Sequence, residues 1–476
     1  MELFWHRRDL RVADNVGLAA ATGAGAGTDD DTDRGPAAAV FVFDPDVLDH
    51  ASDVRVRRLL DGLAALRDDY RERGSDLLVA RGDPETVLPR LADVLDAERE
   101  AHHDAVLHDP DAIRTNAGDP YSVYSYYWKK WTDRAKDDPR PAPTAEGLVD
   151  ADALAAAVGS EARADGGDPV DRVAVGDLPT PADLGFAEPD AAVGPAGTAA
   201  ARERLDGFLD EAVFAYEAER DYPASESTSR LSAFLRYGEI GVREAYAATA
   251  DAMSEAGSDA RSDDAPEQVE EFQQQLAWRE FYTQVLFHNP EVVTENYKAY
   301  EEGIEWRDDP EEIAAWKRGE TGYPIVDAGM RQLREKAFMH NRVRMIVASF
   351  LTKDLLADWR HGYDHFREKL ADHDTANDNG GWQWAASTGT DAQPYFRIFN
   401  PMTQGERYDP DAEYIKEHVP ELRDLDPDLI HEWHELSPTQ RANAAPDYPA
   451  PIVDHSERRE AALAMYKRAR GEDPEE

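Results

Sequence analysis

Between residues 134 and 196 the chain runs through Ala, Asp, Gly and Pro with few aromatic side chains, as in Ala164-Asp165-Gly166-Gly167-Asp168-Pro169. A stretch of this composition buries too little apolar surface to build a core of its own. It is expected to be an acidic interdomain linker separating residues 1–133 from residues 197–476. Two domains also suit the length, because 476 residues exceed what one hydrophobic core usually supports.

The two flanking segments have different periodicities. In the first, Leu3-Phe4-Trp5, residues 37–43 and Leu77-Leu78-Val79 read as strands, and the charged run over residues 52–73 reads as a helix. This alternation predicts an α/β domain with a parallel, Rossmann-like sheet. Gly23-Ala24-Gly25-Ala26-Gly27-Thr28 has the glycine content of a nucleotide-binding turn. It follows a helix and leads into Asp29-Asp30-Asp31, so a flexible loop is expected there instead. The second segment carries apolar residues at spacings of three and four and most of the tryptophans, which predicts an all-helical domain.

The chain contains no cysteine, which excludes disulfides, thiolate catalysis and cysteine-held metal clusters. Any redox chemistry must come from a bound organic cofactor. No run approaches the ~20 apolar residues of a membrane-spanning helix, and the start lacks a signal peptide's apolar stretch, so a soluble cytoplasmic protein is expected. Asp and Glu number 98 against 52 Lys and Arg, a formal charge of -46, which on its face opposes a phosphate-rich partner. The acid excess is spread along the whole chain, as suits a solvated surface in very salty cytoplasm, where at ~1 M salt the Debye length is only about 3 Å. Distant carboxylates then barely repel DNA, and a local basic site can still bind it.

Several ordered motifs carry a resemblance. Trp5-His6-Arg7-Arg8-Asp9-Leu10-Arg11, Thr228-Ser229-Arg230-Leu231-Ser232, Gly322-Tyr323-Pro324-Ile325-Val326-Asp327-Ala328, Met339-His340-Asn341-Arg342-Val343-Arg344-Met345, Asn379-Gly380-Gly381-Trp382-Gln383-Trp384 and Tyr395-Phe396-Arg397-Ile398-Phe399-Asn400-Pro401 follow one another along nearly the whole chain. Together they resemble the photolyase and cryptochrome family, and within it the class I enzymes that split cyclobutane pyrimidine dimers in light. The resemblance implies an α/β N-terminal domain, a helical domain that holds FAD, and UV-damaged DNA as the partner of a monomeric protein.

Residue by residue, the resemblance implies that Tyr216 and Thr228, Ser229, Arg230, Leu231 and Ser232 bind the FAD phosphates. Three hydroxyls, an arginine and a helix N-terminus in five positions also make a natural anion site, although such a segment is more often a plain helix cap. Asp372 and Asp374 would face the polar edge of the flavin, with Arg344 paired to Asp372. Asp372-His373-Asp374 also has metal-ligand chemistry, but adjacent side chains diverge and the flavin reading is preferred. Gln275, Trp278, Arg279 and Tyr282 on one helix, and Asn341, Arg344 and Met345 on another, recur at helical spacing with polar residues interrupting the stripe, which fits a cavity wall. In the family this cavity receives a dimer flipped out of the duplex, and photolyases are themselves among the standard examples of base flipping. Trp278 and Trp384 would stack on the dimer, Asn341 would hydrogen-bond a base, and Met345 would fill space. Arg220, Arg279, Arg342 and Arg397 resemble residues that approach the surrounding phosphates. Trp306, Trp359 and Trp382 resemble the tryptophan chain that carries electrons from the surface to the flavin.

Three features depart from the family. Gln275 stands where dimer photolyases usually have glutamate and (6-4) photolyases have glutamine, yet Asn341 and Met345 occupy the positions of the histidine pair of animal-type (6-4) enzymes. Asp378 stands where repair enzymes have asparagine and plant-type cryptochromes have aspartate, which keeps a blue-light receptor as the alternative. A protonated carboxyl there could feed a proton to the reduced flavin. Between Val94-Leu95-Asp96-Ala97-Glu98 and His102-His103-Asp104 one strand–helix unit of the family is missing near residue 100. The family's antenna pigments are 8-hydroxy-5-deazaflavin and methenyltetrahydrofolate, and loss of that unit speaks against binding either.

Overall fold

The computed structural model describes residues 2–24, 35–95, 102–161, 177–258 and 264–473. Residues 25–28 of the glycine-rich run lie outside them, as do residues 96–101, where the missing unit would join.

Three strands, β1 (Glu2–His6), β2 (Ala37–Phe43) and β3 (Leu77–Arg81), form a parallel sheet in the order β1-β2-β3. Phe4 pairs with Ala39, and Phe41 with Val79. Every residue of β2 is buried, as expected of a central parallel strand covered on both faces. Its side chains alternate between two cores. Ala39, Phe41 and Phe43 meet Leu63, Leu66 and Tyr70 of the helix Asp53–Glu72, while Ala38, Val40 and Val42 meet Leu78, Val87 and Leu91. With the short helix Val16–Thr22 named α1, these are α2 (Asp53–Glu72) and α3 (Pro84–Leu95).

The chain continues through α4 (Tyr124–Asp133) and α5 (Ala151–Glu161). Part of the stretch expected to be a linker is instead structural. Leu148 bridges to Ala37, Val149 donates its N–H to the Ala37 carbonyl at 3.0 Å, and Leu148, Val149 and Leu154 are buried against the sheet. The few apolar residues of this Ala- and Asp-rich stretch are the ones that dock.

The remainder is helical. The elements that bear on the site are α6 (Ser232–Tyr237), α7 (Ala265–His288), α8 (Pro324–Lys336), α9 (Asn341–Ser349), α10 (Trp359–Lys369) and α11 (Thr375–Ala385). Their core gathers Trp316, Phe350, Trp359, Phe366, Trp382 and Trp433. The α/β and helical parts meet over buried ion pairs. Arg58 of α2 forms a two-pronged pair with Glu239, one prong at 2.5 Å, and Arg243 reaches both Asp14 and Asp104 at 2.7 Å. Gly238, at φ 66°, sits where a Cβ would lie 2.1 Å from the Arg8 carbonyl oxygen, so only glycine lets the two parts close.

Candidate cofactor and lesion site

The site is organised by the start of α11. Asp374 is its N-cap and accepts from the Asn377 N–H at 3.0 Å, which fixes the local chain direction. Three neighbouring side chains then diverge. Asp372 takes both oxygens to the same Arg344 nitrogen, at 2.7 and 3.0 Å. The His373 Nδ1 lies 2.7 Å from Asp378. Asp374 faces the Arg8 and Arg236 guanidinium groups at 3.7 and 3.9 Å. The three side chains thus point to three different partners, and among the described residues no group of three or more His, Cys, Asp or Glu could hold an ion.

The electrostatics follow from burial and pairing. Burial alone would raise the Asp374 carboxyl, but Arg236, Arg8 and Arg279 hold it well below the usual carboxylate range. Burial opposes charge on Arg344 too, and Asp372 and Asp378 push it above its ordinary value. A buried guanidinium is tolerable only with such complete pairing. Asp378 accepts from the Asp374 N–H at 3.2 Å and faces Arg344 at 3.5 Å besides His373. Asp378 is thus tied to His373, Arg344 and the backbone at the start of α11.

The hydroxyl-rich segment shares the Phe338 ring with Arg344, which lies 5.9 Å from it. Arg230 takes the left-handed conformation, φ 51°, and lies over the Phe338 ring at 4.9 Å. Ser229 accepts from the Leu231 N–H at 3.4 Å, and Ser232 begins α6. Arg204, which sequence reasoning missed, ties the segment down by donating to the Ser229 and Thr228 carbonyls at 3.0 and 3.2 Å. Tyr216 is buried beside Phe208 and Phe272.

The aromatic residues fall on a common framework. Trp382 is buried against Phe366, with ring centroids 4.9 Å apart, and against Gly362, where a Cβ would lie 2.0 Å from the indole. Gly362 is one turn from Trp359 on α10. Trp359 is buried and donates to Asn296 at 2.9 Å. Arg307 donates its N–H to the Leu356 carbonyl at 2.7 Å, and the Asp358 N–H donates to Asp308 at 2.8 Å, which holds half-buried Trp306 beside the start of α10.

Of the lesion residues, Trp278 is half-buried with one face covered by Tyr124 at 3.6 Å, and Trp384 is half-buried near Phe399. Tyr282, one turn past Trp278, packs on Gly380, one turn before Trp384, so α7 and α11 share a seam. Asn341 is exposed and contacts Met345 at 3.9 Å. Gln275 donates to the Glu271 carbonyl at 3.2 Å, and Glu271 in turn pairs with Arg220 at 2.7 Å. Arg342 pairs with Asp221 and covers the Tyr408 ring at 4.4 Å, and Arg397 is exposed. Arg279 differs from the rim position expected for it. Its guanidinium points inward and donates to the Ala105 and Leu235 carbonyls at 2.5 and 3.3 Å, within the field of Asp374. Arg8 and Arg236 join it there. Of the three, only Arg279 had been singled out, although Arg8 lies in the opening motif.

The residues fit a flavin dinucleotide. Arg344, Asp372 and Asp378 form one linked polar group, with Asp374 facing Arg8 and Arg236 beside it, Ser229 and the α6 N-terminus would supply anion partners, and a Cβ on Gly381, one turn beyond Asp378, would meet nothing within 4 Å. The Trp382 indole N–H is buried with no partner among the described residues.

Comparison with known proteins agrees with this geometry. Residues 272–468 match the FAD binding domain of DNA photolyase, and residues 2–99 match the DNA photolyase family model. A deoxyribodipyrimidine photo-lyase of Halobacterium salinarum is 59% identical over 99% of this chain and 100% of its own. The chain belongs to the DNA photolyase family. Among solved photolyases, a bacterial class III enzyme from Agrobacterium tumefaciens superimposes with a TM-score of 0.83 at 34% identity, covering 98% of this chain and 97% of its own. An archaeal photolyase from Sulfolobus tokodaii, described with two FAD molecules, gives 0.76 at 29% identity over 98% and 100% of the two chains. As a photolyase, the chain carries an FAD-binding domain in its helical part.

Proposed function

We propose that this photolyase uses light to split cyclobutane pyrimidine dimers in UV-damaged DNA, as a cytoplasmic monomer with an α/β domain (residues 1–133) and a helical catalytic domain (residues 197–476). The observation that carries the reading is Arg344 paired with buried Asp372 and Asp378, the latter one turn before buried Trp382 on α11, in a chain so similar along its length to a deoxyribodipyrimidine photo-lyase. When bound, FAD supplies the absorbed light and the single electron lent to the dimer and recovered after its ring opens.

The protein's own residues position and insulate. Arg344 fixes Asp372 and Asp378 on one polar edge, and Trp382, Trp359 and Trp306 offer a path from the core to the surface. Trp278 and Trp384 present aromatic faces to a flipped dimer, and Asn341 supplies an amide to its polar edge. Arg220, Arg342 and Arg397 form the phosphate rim. With Asn341 and Met345 in place of a histidine pair, (6-4) photoproducts should be left intact.

The test is illumination of purified, reduced protein with DNA carrying one lesion type at a time. Loss of cyclobutane dimers under blue light, with (6-4) products unchanged, is expected. Repair of the (6-4) product alone would overturn the specificity, and repair of neither would favour a photoreceptor.

A further inference from the structure

We infer that the exposed face of α4 grips the DNA duplex beside the lesion, Lys129 and Lys130 binding its phosphates and Tyr126 lying against its backbone. The inference rests on the repair reading above and extends the contact surface beyond the arginine rim.

Charge marks this face. In a chain with 98 acidic and 52 basic residues, two adjacent exposed lysines that make no ion pair among the described residues are unusual. Arg220 and Arg342 of the rim are each tied to a carboxylate. Lysines near a helix C-terminus often serve its free carbonyls, but here Lys136 already does so, contacting the Trp131 carbonyl and donating to that of Arg134 at 2.9 Å. Lys129 and Lys130 are therefore left for another partner. Tyr126, 59% exposed, is on the same face with the Lys129 ammonium 6.0 Å from its ring. Asp133 shares the exposed side one turn on, so the lysines form a local spot and not a broad basic field.

Position ties the spot to the lesion pocket. Tyr124, at the start of the same helix, stacks on Trp278 with rings 10° from parallel and donates its hydroxyl to the Gln274 carbonyl at 2.8 Å. The Tyr124 N–H donates to Asp391 at 3.1 Å, and Thr390 donates to the Ser122 carbonyl at 2.6 Å, pinning this end of α4 to the segment that leads to Arg397. Along a helix rising 1.5 Å per residue, the lysines lie about 8 Å from Tyr124. That is roughly two to three base steps of duplex at 3.4 Å each, the reach needed for flanking phosphates.

The experiment compares wild type, Lys129→Gln/Lys130→Gln and Lys129→Arg/Lys130→Arg, all loaded with FAD. Each is titrated with a short single strand holding only the dimer and with a long duplex holding the same dimer at its centre. The glutamine variant should bind the duplex about tenfold more weakly, with its log K against log salt slope shallower by about 1 to 2, and should bind the short strand as wild type does. The arginine variant should restore duplex binding. Equal affinity of the glutamine variant for the duplex, or equal loss on both ligands, would overturn the inference. Wild-type protein that binds neither ligand would instead overturn the repair reading, and this inference with it.

Discussion

Asp372 and Asp378 share one arginine but not equally. Asp372 has both oxygens near one Arg344 nitrogen, whereas Asp378 reaches it at 3.5 Å and is held mainly by His373. Asp372→Asn should therefore destabilise the protein by about 3 kcal/mol, because a buried guanidinium loses its main partner, and should lower FAD retained through gel filtration. Asp378→Asn should cost less and still split dimers once FAD is chemically reduced. Equal unfolding midpoints for the two variants would show that the pairing is not graded in this way. His340 offers a pH-dependent test. It caps α9 by accepting the Arg342 N–H at 3.2 Å, and burial pushes it down to about 4 from 6.5. Unfolded chain takes up the proton near 6.5 and the folded site only near 4, so the stability contributed by His340 is present above about 6.5 and lost as pH falls toward 4. The whole effect is up to about 3 kcal/mol. His340→Asn keeps a capping side chain, and its denaturation midpoint should fall less than that of wild type between these pH values.

At the scale of elements, the contact between α10 and α11 sets the tryptophan path. Gly362 admits the Trp382 ring, and an added methyl would collide with it. Gly362→Ala should cost about 1–3 kcal/mol by overpacking and slow photoreduction of oxidised FAD by displacing Trp382. Trp382→Phe should abolish that photoreduction while sparing dimer repair by chemically reduced protein. Flash photolysis of the two variants reads both effects, and unchanged photoreduction in Trp382→Phe would take these tryptophans out of the path. The glycine was visible in the sequence, but its partner, twenty residues away, was not, because nothing in helical spacing says which faces of two helices meet.

For the whole molecule, the sheet matters most. Among the described residues it has three strands, and the segment where a further strand–helix unit would be inserted is short. Purified protein should hold one FAD and little or no second chromophore, whatever pigments the host makes. One equivalent of 8-hydroxy-5-deazaflavin, methenyltetrahydrofolate or a second FAD after denaturing extraction would contradict this. The sequence by itself determined the fold class and the helical character of residues 197–476, because periods of two and of three to four are local properties of side-chain direction; that the helical part holds FAD was implied only by the family resemblance of its motifs. It also pointed to Thr228 to Ser232, Arg344, Asp372 and the three tryptophans, since each sits in a compact motif. Only the tertiary structure decided that Arg279 turns inward with Arg8 and Arg236 around Asp374, that Tyr124 covers Trp278, and that Leu148 to Leu154 dock on the sheet. Each of these pairs residues far apart in the chain. What a charged or aromatic side chain does is set by the burial and the partners that folding assigns to it.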